Sequence, residues 1–179
     1  IEQDISLLLK RMILAARSLR NFQRESGLTD LRGCNYDSSP DTGFVVQSLL
    51  LLIELIRRFP PKEEYKALWG TCLEELESFI HKAIPGLISG GFHTPNHRWV
   101  VSSALSLYKS LYPGELDEKI SLCVKSYTDE TIDIDGDGAF LERSSGGYDT
   151  IVTQSLMILA KTTEDVELKK KALAAVEQN

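Results

Sequence analysis

The sequence predicts an all-α fold, in the form of an incomplete α/α toroid built of helical hairpins with a repeat of about 50 residues. Three observations support this prediction. Apolar residues recur at helical spacing along most of the chain, and turns rich in glycine and proline separate the helical stretches. One apolar segment also occurs three times, beginning at Asp41, Asn96 and Tyr148, with steps of 55 and 52 residues between the copies. A repeat of this length is typical of stacked supersecondary units.

The helices are predicted in pairs, a very apolar helix followed by a more charged one. Proline or glycine ends most of them, because proline lacks the main-chain N–H that a helix interior needs. Thr94 and Pro95 are expected to provide the cap and the first turn of the fourth helix. The predicted helices cover residues 2–24, 41–59, 62–88, 95–112, 116–127, 148–161 and 166–177, with loops at 27–40 and 128–147 and a short extended piece at 139–141.

The alternation of apolar and charged helices indicates two layers. An inner ring of apolar helices within an outer ring of amphipathic ones is the simplest way to bury this pattern. Ser48, Ser103 and Ser155 occupy the same position in the three copies, where small side chains permit close contact between the inner helices. We expect the inner helices to run parallel, so that their N-termini form one shared opening, called the mouth below.

The composition restricts the class of protein. The 179 residues are enough for one domain with a substantial core, and we treat 1–179 as a single domain. The net charge of −6, from 20 basic and 26 acidic residues, gives no support to binding of nucleic acid. No segment reads as the roughly 20 apolar residues of a membrane span. The three cysteines are widely spaced and form neither a disulfide framework nor a zinc pattern.

The ends of the chain lead us to expect that it is a piece of a longer protein. The chain opens at Ile1 without a methionine and ends at Asn179 within a helical pattern. Its first residues lack the apolar core of a signal peptide, so a cytoplasmic and a periplasmic location both stay open.

Polar and aromatic side chains gather around the predicted mouth. Unpaired main-chain N–H groups and the helix dipole favour an anion at such a place. Arginine can hold a carboxylate through two hydrogen bonds, and tryptophan or tyrosine can stack on the face of a sugar ring. The assembly therefore suits an acidic oligo- or polysaccharide. The candidate residues are Asp41, His93, Asn96, His97, Arg98, Trp99, Glu142, Arg143 and Tyr148.

Simpler interpretations of these residues stay open, and other chemistry is less well supported. Taken singly, Asn96 fits a helix cap, His97 a solvated side chain and Trp99 a core residue. Residues 133–138 resemble the start of a calcium loop, but Ser144 stands where an EF-hand requires glutamate. We therefore predict a polar turn there, and neither a metal nor another cofactor.

Two motifs resemble the N-terminal toroid of the heparinase II/III-like polysaccharide lyases. Residues 94–99, Thr-Pro-Asn-His-Arg-Trp, precede an apolar helix that ends at Tyr112 and Pro113, and they are similar to the family's Asn-His helix start. Residues 137–148, Asp-Gly-Ala-Phe-Leu-Glu-Arg-Ser-Ser-Gly-Gly-Tyr, are similar to its Asp-Gly, Glu-Arg-Ser and Tyr segment. The resemblance covers about residues 85–165 of the chain.

The resemblance implies β-elimination at a uronic acid. Asn96 and His97, with Arg98 as a further candidate, would neutralise the substrate carboxylate and stabilise the developing enolate. Tyr148 would transfer the proton as general base or acid. Glu142 and Arg143 would position the Tyr148 loop or the substrate.

The chain also departs from the family pattern, and this keeps alternatives open. Pro95 stands where the family usually has a second Asn, and Asp149 where it often has His. The family takes further residues, including a His, from a C-terminal β-sandwich, which is the expected partner domain of this chain. One alternative is an α/α-toroid glycoside hydrolase, with carboxylates from Asp41, Glu142 or Asp149. Another is a non-catalytic carbohydrate-binding module.

Overall fold

A computed structural model describes residues 2–129, 131–142 and 147–178. Helices dominate these ranges, so the prediction of an all-α fold is confirmed. A 3₁₀ turn at Glu63–Tyr65 precedes the third helix, and the antiparallel strands β1 (Thr29–Leu31) and β2 (Asn35–Ser38) form a small hairpin. The α-helices are α1 (Glu2–Asn21), α2 (Ser39–Arg58), α3 (Lys66–Ser89), α4 (Pro95–Leu111), α5 (Asp117–Thr128), α6 (Gly147–Thr162) and α7 (Val166–Gln178).

The helices α2 and α4 lie side by side and run parallel. Near their N-terminal ends the rings of Phe44 and His97 meet edge to face, with centroids 6.1 Å apart. At their C-terminal ends Arg57 Nη1 donates to the main-chain oxygen of Leu111 at 3.2 Å. Contacts at corresponding ends require the same chain direction. The two N-termini therefore open at one end of the molecule, as predicted.

A buried hydrogen-bond network connects α2, α4 and α6. Gln47 Nε2 donates to Ser103 Oγ at 2.6 Å and to Ser155 Oγ at 3.0 Å, which one amide group with two N–H donors can do. Closer to the C-terminal ends, the hydroxyls of Ser106 and Thr162 lie 2.7 Å apart. The two contacts advance in the same direction along α4 and α6, so these helices run parallel. Both α2 and α6 pack on α4, whose residues 98–108 are all buried, so α4 lies at the centre of one parallel layer.

The predicted alignment of three serines is wrong at one position. Ser103 and Ser155 are buried in the network, but Ser48 is exposed and donates to the main-chain oxygen of Phe44 at 2.9 Å. Gln47 takes the place that Ser48 was expected to hold. The difference is a rotation of α2 by one residue, or about 100°, relative to its neighbours.

The other helices pack against this layer or against one another. Chain neighbours form hairpins, since α3 packs on α2, α5 on α4 and α7 on α6, while α1 lies against α3. Arg57 near the end of α2 pairs with Glu77 in α3, and Ser39 at the start of α2 lies beside Gly90 after α3, so this hairpin is antiparallel. The core fills the space between the layers and includes Trp99, Phe79, Leu50, Ile53 and Ile84.

Several boundaries differ from the predicted ones. The first helix ends at Asn21 rather than at position 24, and the predicted loop 27–40 contains the hairpin β1–β2. Helix α2 begins at Ser39 because Ser38 Oγ accepts from Asp41 N and caps it. Helix α3 continues through Pro85 to Ser89.

The segment that resembles a calcium loop is a polar turn, as predicted. Asp135 Oδ1 accepts from the main-chain nitrogens of Asp137 at 2.9 Å and Ala139 at 3.0 Å. Ile134 and Phe140 form an isolated antiparallel bridge, which includes part of the predicted extended piece.

One helix within the described residues, α2, is long and apolar enough to cross a membrane by length and composition alone. Core helices of soluble proteins pass the same test, and α2 contributes Val46, Leu50 and Ile53 to the core.

Candidate functional site

The N-terminal ends of α2 and α4 bring several predicted site residues together. His97 lies between the ring of Phe44 and the ring of His93, each with a centroid separation of 6.1 Å. The carboxylates of Asp41 and Glu142 are close enough to act on the charge of His97. The mouth therefore joins residues from three parts of the chain that are distant in sequence.

Asn96 and Glu142 form the most specific contact of the mouth. Asn96 is the second residue of α4, is 1% exposed, and donates its main-chain N–H to Glu142 Oε2 at 2.8 Å. Its side-chain Nδ2 donates to Glu142 Oε1. Because an ionised carboxylate only accepts hydrogen bonds, the amide nitrogen must be the atom that faces it. Asn96 Oδ1 then points elsewhere, and it is buried without a hydrogen-bond partner among the described residues.

This contact changes the interpretation of the α4 start. Thr94 stands at the cap position, as predicted, but its side chain makes no capping hydrogen bond, and Thr94 Oγ1 is buried without a partner in the described part of the chain. The carboxylate of Glu142 satisfies a helix N–H instead. An anion at the start of a helix is favoured by the unpaired N–H groups and by the dipole.

His97 is half-buried rather than solvated. Burial lowers its pKa, while Asp41 and Glu142 raise it in opposition, with burial the larger effect. The ring is therefore neutral at pH 7 and has one donor and one acceptor nitrogen. Its Nδ1 is buried and has no partner among the residues that the structure describes.

Asp41 is anchored by the hairpin that precedes it. Asp41 Oδ2 accepts from Ser38 Oγ at 2.5 Å and from Asn35 Nδ2 at 3.2 Å. Sequence reasoning missed both partners. The pattern Ser-x-x-Asp at residues 38–41 is a capping-box signal that could have revealed Ser38. The contact from Asn35 depends on the strand β2, which no periodic pattern in the sequence predicted.

Arg98 and Trp99 lie in the interior, with 2% and 0% exposure. Arg98 Nη2 donates to the main-chain oxygen of Thr131 at 2.9 Å and pairs with Asp133. Its guanidinium carbon lies 4.5 Å from the centroid of the Trp99 ring. Such burial does not support the prediction that the two side chains contact substrate, because both point away from the solvent of the mouth. Arg98 instead anchors the segment that carries Glu142.

Tyr148 and Arg143 complete the predicted set. Tyr148 is the second residue of α6 and is 44% exposed. No hydrogen bond between described residues joins it to Asn96 or His97. Arg143 lies outside the described residues. Tyr148 thus stands at a helix start, as predicted, without a direct contact to the other two.

The mouth combines groups that can recognise a carboxylate and move a proton. It has a helix N-terminus that already holds a carboxylate, a buried amide and a neutral imidazole, and the Tyr148 phenol stands at the start of the neighbouring helix α6. Within residues 2–129, 131–142 and 147–178, no three His, Cys, Asp or Glu side chains are grouped so that they could hold a metal ion. Comparison of the chain with protein-family models, with curated proteins and with solved structures found no match.

Proposed function

We propose that this chain is the helical part of a polysaccharide lyase that cleaves a uronic-acid-containing glycan by β-elimination. The carboxylate-binding arrangement at the start of α4 is the observation that carries the proposal. Asn96 offers a main-chain N–H and a side-chain amide to one carboxylate, and neutral His97 follows it in the chain. Recognition of a carboxylate is the first requirement for elimination at a uronic acid.

The proposed architecture is an incomplete α/α toroid. Three parallel helices, each followed by a helix that packs on its outer side, are the arrangement that such a toroid requires. The threefold repeat supports the same arrangement at the level of the sequence. Further hairpins and a C-terminal β-domain would complete the enzyme, and that domain would supply additional site residues.

The chemistry explains why these residue types are needed. The proton at C5 of a uronate is hard to remove, because its loss places a second negative charge beside the carboxylate. Asn96 and the start of α4 would stabilise that charge by hydrogen bonds that strengthen as the enolate forms. His97 would donate its N–H to the same oxygen atoms.

Tyr148 is the proposed proton carrier. Its phenolate oxygen would take the C5 proton while C4 and C5 form a double bond and the C4–O4 bond breaks. The phenol would then return the proton to the departing O4 oxygen. One residue can serve both steps where the proton is taken and returned on the same side of the sugar ring.

A second candidate function, glycoside hydrolysis, is favoured by one observation. Asp41 and Glu142 both lie near His97, so the mouth contains two carboxylates. Hydrolases use two carboxyl groups, one as the acid and one as the base or nucleophile. Both groups accept hydrogen bonds from neighbouring residues in this structure, Asp41 from Ser38 and Glu142 from Asn96.

The test is incubation of the full-length protein with heparan-type, chondroitin-type and alginate-type glycans. We expect ultraviolet absorbance to rise on one of them, because elimination leaves a 4,5-unsaturated uronate. New reducing ends without that absorbance would identify the protein as a hydrolase. If the folded protein produces neither the absorbance nor new reducing ends with any of these glycans, both enzymatic functions are overturned and a non-catalytic carbohydrate-binding module is favoured.

A further inference from the structure

We infer that the carboxylate site at the start of α4 is occupied by an internal ligand. Glu142 is that ligand, and the carboxylate of a substrate binds by displacing it. The inference rests on the proposed function for the identity of the substrate, but the exchange itself is a property of the site.

Glu142 uses the donors that an external carboxylate needs. Its two oxygens accept from the main-chain N–H and from the side-chain amide of Asn96. A second carboxylate at the same donors would place two negative charges in contact, which is strongly unfavourable. Glu142 and a bound uronate therefore exclude each other.

Glu142 does not satisfy every polar atom of the site. Asn96 Oδ1 and Thr94 Oγ1 are buried without partners among the described residues, and Asn96 is 1% exposed. A glutamate brings no hydrogen-bond donor for these acceptors. A sugar acid carries hydroxyl donors beside its carboxylate, so it could satisfy atoms that Glu142 leaves unpaired. The ligand class that fits is a hydroxylated carboxylate.

The segment that carries Glu142 is anchored by contacts other than those of the Glu142 side chain. Arg98 donates to Thr131 and pairs with Asp133, and the Leu141 main-chain N–H donates to the main-chain oxygen of Asp133 at 2.7 Å. These contacts do not involve the Glu142 carboxylate. The side chain of Glu142 can therefore leave the α4 start while Arg98 still holds the segment in place.

An internal competitor weakens the apparent binding of an external ligand by the fraction of protein whose site is free. Removal of the Glu142 carboxylate should therefore tighten binding of a uronate. A purely structural role for Glu142, as a support that orients Asn96, predicts weaker binding instead. The two roles differ in the sign of the effect.

The experiment is a titration of wild type and Glu142→Ala with sodium glucuronate, followed by calorimetry and by the NMR signal of the Asn96 side-chain amide. Glucose is the neutral control ligand, and Glu115→Ala, in the exposed turn between α4 and α5, is the matched control variant. We expect Glu142→Ala to bind glucuronate at least about tenfold more tightly than wild type, with no gain for glucose. The Asn96 amide signal should move in the variant at lower glucuronate concentration.

Glu142→Gln keeps the shape of the side chain and removes its charge, so it serves if Glu142→Ala does not fold. Equal or weaker glucuronate binding by the folded variant, or no binding by either protein, would overturn the inference. Tighter binding without cleavage of any glycan would support the exchange and reject the lyase. Cleavage of a glycan together with weaker binding would support the lyase and reject the exchange.

Discussion

The two ends of the α2–α4–α6 layer differ in whether their polar side chains have hydrogen-bond partners. At the C-terminal end the polar atoms are paired with one another. The hydroxyl of Tyr112 donates to Glu77 Oε1 at 2.6 Å, and the hydroxyl of Tyr108 lies 2.9 Å from His81 Nδ1. Arg57 covers the ring of Tyr112, with its guanidinium carbon 4.6 Å from the centroid.

At the N-terminal end, by contrast, buried polar atoms lack partners among the described residues. They belong to Ser39 at the start of α2 and to Thr94, Asn96 and His97 at the start of α4, and two more, Trp99 Nε1 and Ser102 Oγ, lie further along α4. Each buried polar atom without a hydrogen bond costs about 1–3 kcal/mol. In folded proteins, such atoms usually have a partner outside the chain, such as a ligand, a water or another domain, and this partner offsets the cost.

This difference predicts that the C-terminal end serves stability and that the N-terminal end serves binding. Within the part of the chain that the structure describes, the buried side-chain polar atoms that lack a partner lie away from the C-terminal end, so residues at that end should matter for folding and little for activity. The N-terminal end contains buried polar atoms without a partner among the described residues, so its residues should matter for activity more than for folding. Each prediction below tests one side of this division.

The largest expected effect is on turnover. Tyr148→Phe removes the proposed proton carrier and should lower the rate of glycan cleavage by about 10²–10⁴-fold. The melting temperature should hardly change, because the side chain is 44% exposed and a surface substitution alters stability by about 0.5 kcal/mol or less. Ultraviolet absorbance and thermal unfolding measure the two quantities. Unchanged turnover would remove Tyr148 from the mechanism.

The next effect concerns Gln47, which connects the layer midway between its ends. Gln47→Ala removes the hydrogen bonds to Ser103 and Ser155 and leaves a gap in a buried site. We expect a loss of about 3 kcal/mol in the free energy of unfolding, measured by urea denaturation. Gln154→Ala, an exposed glutamine on α6, is the control and should change the free energy by about 0.5 kcal/mol or less. Equal losses in both variants would show that the network does not stabilise the layer.

Tyr112→Phe tests the C-terminal end and should reverse the result for Tyr148. Loss of the hydrogen bond to Glu77 should cost about 1–2 kcal/mol of unfolding free energy, while glycan cleavage stays at the wild-type rate. Burial, and then the neighbouring Glu77, raise the pKa of Tyr112 well above its usual range. A substantial loss of turnover in this variant would contradict the division between the two ends.

The raised pKa of Tyr112 also predicts a dependence on alkaline pH. The stabilisation is fully present below the pKa of an unfolded tyrosine, about 10, and is lost as pH rises toward the folded value. The stability difference between wild type and Tyr112→Phe should therefore shrink above about pH 10. Urea denaturation at neutral and alkaline pH measures this, and a constant difference would contradict the assigned environment.

Much of the fold could be predicted because its signals are local. Apolar spacing located the helices, and Pro60, Pro95 and Gly90 marked boundaries to within a few residues. The shared direction of α2 and α4 followed from the repeat, since equivalent helix starts at Asp41 and Asn96 face the same end. The toroid and the glycan chemistry stay predictions.

The facing of α4 could not be predicted, because residues 98–108 are buried on every side. When a helix has no exposed face, its sequence lacks the contrast between an apolar and a polar side that would show which residues face the core. The sequence therefore placed Arg98 and Trp99 beside His97 at the mouth, whereas both turn into the interior. The contact between Asn96 and Glu142 spans 46 residues, and no local pattern specifies a partner at that distance.

The smallest expected effect is the dependence of stability on acidic pH through His97. Burial lowers the folded pKa of His97 below the usual value of about 6.5, against the pull of Asp41 and Glu142. The unfolded state then binds more protons near that pH, so stability is full above the unfolded pKa and falls as pH drops through it. The melting temperature of wild type should fall more between pH 7 and pH 5 than that of His97→Asn. Equal slopes for wild type and His97→Asn would mean that the ring is solvated, and the N-terminal end would then lose one of the buried atoms that set it apart from the C-terminal end.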